Sequence, residues 1–153
     1  IQTLLVNAVD ARAQFFNFVI TGDPGTGKTE VARMLPAIFY RLGYAPRPYP
    51  SFDQIPITTK SEWIAPYEGQ SAAQARMTML RSVGRIGVVD EAYSLVIDAA
   101  DGYGKESLSQ IVADLDELRG LVILVFLGYK NKTQEMFEQV SDGGFLFFAR
   151  GGF

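Results

Sequence analysis

Gly22-Asp23-Pro24-Gly25-Thr26-Gly27-Lys28-Thr29 decides how this chain is read. It fits the pattern G-x-x-x-x-G-K-[ST], and its context agrees. An apolar run over residues 15–20, closed by Thr21, has the character of a buried strand, and helical spacing begins at Thr29. Strand, glycine loop and helix in that order cradle phosphate groups. The glycines let the backbone turn tightly so that successive amides face one anion, and the helix N-terminus adds partial positive charge. Pro24 has no amide hydrogen, so the expected donors are Gly25, Thr26, Gly27, Lys28 and Thr29. The Lys28 ammonium is expected to reach the β- and γ-phosphates of ATP and the Thr29 hydroxyl to bind Mg²⁺, with Glu30 closing the candidate contact set. A chance match in a chain this long has odds on the order of one in a few hundred, before strand and helix are counted.

Downstream of the loop, Val31, Ala32, Leu35, Ile38, Phe39 and Leu42 keep helical spacing and Gly43 supplies a stop. Pro36 stands inside that helix, where a proline removes one backbone hydrogen bond and costs ~3 kcal/mol, so a kink or a break is expected there. Pro46, Pro48 and Pro50 mark a loop, and residues 55–58 read as a short edge strand because Pro56 cannot donate to a central ladder. Ser71 is the expected N-cap of a helix reaching about Ser82, ended by Gly84. Residues 86–89 read as a second buried strand, residues 105–118 as an amphipathic helix and residues 121–127 as a third strand. The alternation predicts an α/β fold, a P-loop NTPase three-layer sandwich with a mainly parallel sheet.

The second strand ends in Asp90 and Glu91. A carboxylate at the carboxyl end of a parallel strand, next to a phosphate loop, is placed to hold the water shell of Mg²⁺, the role expected of Asp90. A second carboxylate beside it suits polarising a water for in-line attack on the γ-phosphate, so Glu91 favours hydrolysis over transfer to an acceptor. The plainer alternative is that Glu91 caps a turn or pairs with an arginine. Lys28, Asp90 and Glu91 are therefore the candidate catalytic residues.

Composition narrows the rest. With 153 residues, one core is expected, and 48% apolar with 20% charged residues is ordinary for a globular domain. The longest apolar run, residues 121–127, is far short of the roughly 20 residues a membrane-spanning helix needs. There is neither cysteine nor histidine, which excludes disulfides, thiolate metal sites and Ser-His or Cys-His nucleophiles. A net charge of -3 supplies no overall field for nucleic acid. The compartment stays open. The chain starts at Ile1 and ends in an apolar, glycine-rich stretch, so it reads as a piece of a longer protein, a piece that itself holds no lid subdomain.

Five blocks, GDPGTGKT, YEGQS, GVVDEAYSL, GYGKESL and LVILVFLGY, together resemble the CbxX/CfqX branch of AAA+ ATPases, over about residues 15–140. That group includes red-type rubisco activases, the ATPase of type VII secretion and sporulation protein K-like proteins. The resemblance implies an AAA+ large subdomain in a homo-oligomeric ring, usually a hexamer, in which ATP between subunits drives loops that pull on a protein client. Within Tyr67-Glu68-Gly69-Gln70, it makes Tyr67 the aromatic of the first pore loop, with Glu68 and Gly69 beside it. A partly buried loop aromatic is the bland alternative for Tyr67. Residues 98–104 take the place of the second pore loop, or are a surface connection. Lys130 and Asn131 are both candidates for the sensor of the γ-phosphate. The tail departs from the family pattern and leaves Arg150 as the candidate trans arginine. A catalytically weak nucleotide-binding module, or a degenerate ring subunit, is the alternative this tail supports.

Overall fold

The computed structural model describes residues 17–47, 49, 51, 54–67, 69–96 and 103–139. Four strands, β1 (Phe18–Thr21), β2 (Ile57–Thr58), β3 (Ile86–Val89) and β4 (Ile123–Gly128), form one sheet in the order β1-β4-β3-β2, every pairing parallel. Phe18 pairs with Val125, Ile86 with Ile123 and Ile57 with Val88, so the carboxyl ends of β1, β3 and β4 lie along one rim.

Side chains of β3 and β4 alternate between two separate cores, as the two-residue period of a strand requires. Ile86, Val88, Ile123, Val125 and Leu127 pack with Ala32, Leu35 and Phe39 of α1 (Lys28–Arg41). Val89, Leu124 and Phe126 pack on the opposite face with Ala75 and Met79 of α3 (Ser71–Arg81) and with Leu108, Ile111 and Leu115 of α4 (Tyr103–Glu117). These are the three layers predicted, and both sheet faces are covered. A last helix, α5 (Lys130–Gln139), follows β4 directly. Among the described residues no helix is long and apolar enough to cross a membrane.

Three expectations change. α1 runs unbroken through Pro36. The proline is itself buried, and Leu35 and Phe39 on either side of it pack into the core, so burial outweighs the one missing hydrogen bond. Ser71 is the first helical residue rather than the N-cap, which is Gln70; the Ser71 hydroxyl accepts a hydrogen bond from the Ala65 amide at 3.2 Å. The edge strand shrinks to β2, while the first strand starts at Phe18, leaving Phe15 and Phe16 outside the described residues.

Among the described residues three elements were not predicted: α5, a short 3-10 helix (Ala92–Leu95), and a single turn α2 (Lys60–Trp63), this last started by a capping box in which Thr59 and Glu62 bond to each other. Burial pushes the Glu62 carboxyl up, but hydrogen bonds from Thr59 and Ser61 outweigh it and hold the group below its usual range. Trp63, fully buried, donates from Nε1 to Thr58 Oγ1 at 2.9 Å, and its carbonyl accepts from Ser107 Oγ at 2.9 Å. The segment that leads to Tyr67 is thereby pinned to both β2 and α4.

Candidate functional site

The glycine loop leaves β1 under tight local constraint. The Gly22 amide donates to the Gly128 carbonyl at 3.2 Å, tying the start of the loop to the end of β4. A Cβ at Gly22 would lie 2.8 Å from Thr26 Oγ1, which itself donates to the Asp23 carbonyl at 2.8 Å. Gly25 and Gly27 take φ values of 74° and 81°, a region that L side chains enter only at a cost. Gly27 caps α1 without a side-chain acceptor, so the first-turn amides are not taken up by a cap side chain. Lys28 Nζ donates to the carbonyls of Gly22 at 2.9 Å and Asp23 at 2.8 Å, and lies 5.1 Å from the centre of the Tyr129 ring. The lysine expected to reach outward thus rests on its own loop, because an ammonium fills its three donor positions with the nearest acceptors. The Thr26 amide, one of the expected donors, faces the Asp23 carbonyl at 3.4 Å.

β3 delivers the acidic pair. The Asp90 amide donates to the Thr58 carbonyl at 2.7 Å, and its Oδ1 accepts the Glu91 amide at 2.8 Å. Glu91 has φ 49° and ψ 42° and is the one non-glycine residue with positive φ among the described residues. Left-handed backbone at such a residue costs about 1–2 kcal/mol, and it turns the exposed Glu91 away from the strand into a short 3-10 helix, Ala92–Leu95.

Residues 24–30, Asp90, Glu91, Tyr93, Gly128 and Tyr129 line one cavity of about 410 Å³ at the carboxyl rim of the sheet. Thr29 and Asp90 share that cavity, and among the described residues no cluster of three His, Cys, Asp or Glu side chains exists to cage a metal. One hydroxyl plus one carboxylate fits Mg²⁺, which keeps most of its water and takes its remaining ligands from phosphates. Tyr93 and Tyr129, which the letters alone did not single out, also line the cavity, with ring centres 5.7 Å apart and Lys132 Nζ 4.7 Å above Tyr93. Gly128 makes room for this lining: a Cβ there would collide with Thr133 Oγ1 and come within 3.2 Å of Tyr93. The signals were a tyrosine three residues after Asp90 and another directly after β4.

Other predicted residues lie elsewhere. Gly22 and Asp23 are not among the lining residues; their carbonyls hold the Lys28 ammonium. Lys130 and Asn131 open α5, both exposed, and neither lines the cavity. Tyr67 is 68% exposed, and Gly69 has φ 72°. Glu68, Arg150 and residues 98–102 lie outside the described residues, while Tyr103 and Gly104 begin α4.

A parallel sheet of order β1-β4-β3-β2, with a phosphate loop after the first strand and an acidic pair after the third, defines the core of a P-loop NTPase of the AAA+ kind. Its fold matches a solved FIGL-1 AAA domain in complex with ADP at TM-score 0.50 and 14% identity, over 84% of this chain and 47% of that one. In sequence it is 33% identical over 130 residues to the ESX-1 secretion system protein EccA1 of Mycolicibacterium smegmatis, covering 83% of this chain and 22% of that protein. It is 31% identical over 118 residues to the chloroplastic ribulose bisphosphate carboxylase/oxygenase activase of Cyanidioschyzon merolae, covering 76% and 39%. A CfxQ homolog of Guillardia theta is 30% identical over 119 residues, covering 77% and 39%. No family model matches the chain. The chain belongs to the AAA+ ATPases of the CbxX/CfqX family, and it spans between 22% and 39% of the length of these curated relatives.

Proposed function

We propose that the chain binds ATP with Mg²⁺ and hydrolyses it, and that hydrolysis drives remodelling of a protein client through the pore of a homo-oligomeric ring. The observation that carries this reading is the convergence of residues 24–30, Asp90 and Glu91 on one cavity. The loop amides and Lys28 bind the phosphates, Lys28 leaving the Gly22 and Asp23 carbonyls for them. Thr29 and Asp90 would hold Mg²⁺, which when bound supplies charge neutralisation at the phosphate oxygens. Glu91, free of a strand partner and turned by its left-handed backbone, orients the attacking water and accepts its proton. The Tyr93 and Tyr129 rings supply apolar lining to the same cavity.

Two features support a protein client. Tyr67 stands out into solvent from a segment whose base is pinned through Trp63, a geometry suited to gripping an extended chain without sequence preference. The relatives named for a secretion system and for rubisco activation carry names that imply protein partners. In the Glu91→Gln protein, ATP should stay bound while phosphate release falls by about 10²-fold or more. Unchanged turnover would remove Glu91 as the base.

The exposed positions of Lys130 and Asn131, outside the cavity lining, favour a second reading, a nucleotide-binding module of weak turnover. Hydrolysis per subunit that rises steeply with protein concentration decides for the ring; a flat, near-zero rate decides for the module.

A further inference from the structure

Among the described residues the Lys28 ammonium meets three groups: the carbonyls of Gly22 at 2.9 Å and Asp23 at 2.8 Å, and the Tyr129 ring, over which it lies 5.1 Å from the centre. We propose that Tyr129 is a positioning residue of the phosphate site, whose ring helps to hold the ammonium on its own loop until phosphate oxygens replace ring and carbonyls together. This rests on the nucleotide-binding reading of the same cavity.

Electrostatics is the first support. Lys28 is half-buried, and it forms no ion pair with Asp90 or Glu91, which line the same cavity. Its charge is met instead by two carbonyl dipoles and by the negative face of an aromatic ring. An ammonium within about 6 Å of a ring centre is attracted to it, and at a partly exposed site that attraction shifts an equilibrium about two- to fivefold. The carbonyls fix where the lysine lies, and the ring sets how readily it leaves.

The anchoring of the ring is the second support. Tyr129 directly follows β4, and the Gly22 amide donates to the carbonyl of Gly128, the residue before it, at 3.2 Å, so loop and ring are tied by one backbone hydrogen bond. The Tyr129 carbonyl accepts the Thr133 amide at 2.8 Å, in the first turn of α5. The ring itself packs against the core that holds Phe126 and Met136, tilted by 30° to the buried Tyr93. Held from both sides, the ring stays with the sheet, so a contact that Lys28 gains with phosphate is set against the contact it loses with Tyr129. Lys130 and Asn131, next in the chain, are exposed and line no part of the cavity, which leaves Tyr129 as the residue after β4 that reaches it.

The test uses the full chain with Glu91→Gln as parent, which keeps the phosphate loop and removes turnover. Calorimetric titration with Mg²⁺ and ATP should show Tyr129→Leu binding about two- to fivefold more tightly than the parent, and Tyr129→Phe, which keeps the ring, returning the parent's value. Urea denaturation without nucleotide then measures the lysine–ring contact directly. The unfolding constants of Tyr129→Phe and Tyr129→Leu should differ by about two- to fivefold more when Lys28 is present than in a Lys28→Met background. A ring that only fills space would give the same difference in both backgrounds, and its removal would leave nucleotide affinity equal or weaker; either result overturns the inference while the parent's binding keeps the nucleotide site standing. No binding of Mg²⁺ and ATP by the parent overturns the nucleotide reading, and the proposed exchange with it.

Discussion

At Glu91 local conformation and proposed chemistry pull in opposite directions. A glutamate with φ 49° sits in a region that costs a non-glycine residue about 1–2 kcal/mol. Its neighbour Asp90 accepts the Glu91 amide and so holds it there. Glycine at this position would relieve the strain and return part of the gain as chain entropy, for a net of up to ~1 kcal/mol. The Glu91→Gly protein should therefore be at least as stable as wild type in urea denaturation while its phosphate release falls by about 10²-fold or more. A clear loss of stability would mean that the carboxylate itself holds the turn together. The acidic pair was legible in the sequence because phosphate chemistry demands particular residue types in contiguous spacing. Tyr93 and Tyr129 were not, because an aromatic becomes a cavity wall only when β4 and the 3-10 helix are brought side by side, and nothing local encodes that meeting. Nor did the letters show Lys28 lying on the Gly22 and Asp23 carbonyls, since that depends on the curl of the loop.

Among the elements, α1 and the α3–α4 pair show how packing overrides local preference. The proline rule predicts a break at Pro36, yet α1 continues because Leu35 and Phe39 pack against the sheet and Pro36 is itself buried. Pro36→Ala restores an amide that can bond the Ala32 carbonyl, at the loss of some buried ring surface, and should stabilise the fold by about 1–2 kcal/mol; a lower melting temperature would show that the ring's packing is worth more than the bond. Strand and helix order was readable because hydrophobic period survives such local exceptions, whereas α2 was missed, its capping box being only four residues long. Between α3 and α4, Arg76 bonds Asp114 at 2.6 Å and Glu117 at 2.8 Å. The hydrogen bond from Arg76, and then its charge, hold the Glu117 carboxyl below its usual range. A carboxyl depressed in the folded state adds stability above its unfolded value, near 4.3, and loses it as pH falls through the folded value. The melting temperature of Glu117→Gln should thus lie below wild type at pH 7 and converge with it towards pH 3. A gap that stays constant across that range would exclude the ion pair as its cause.

For the whole molecule, the cavity is assembled from the ends of β1, β3 and β4, and those strands form the floor of both cores. The site therefore has no existence apart from the folded sheet, and a ligand that fills it binds the native state but not the unfolded chain. Linkage then fixes the size of the effect: at a hundred times its dissociation constant, such a ligand stabilises the native state by ~2.7 kcal/mol. For a domain of this size that is a rise in melting temperature of roughly 5–10 °C. Adding Mg²⁺ and ATP to the Glu91→Gln protein should produce that rise without turnover, because the loop, Lys28, Thr29 and Asp90 are all retained. In the Lys28→Ala protein the rise should nearly vanish, while Arg33→Gln with Arg41→Gln should leave it intact, since those arginines line a different cavity. Equal rises in all three proteins would mean that the nucleotide stabilises the chain from somewhere other than the phosphate loop, and the proposed function would lose the observation on which it stands.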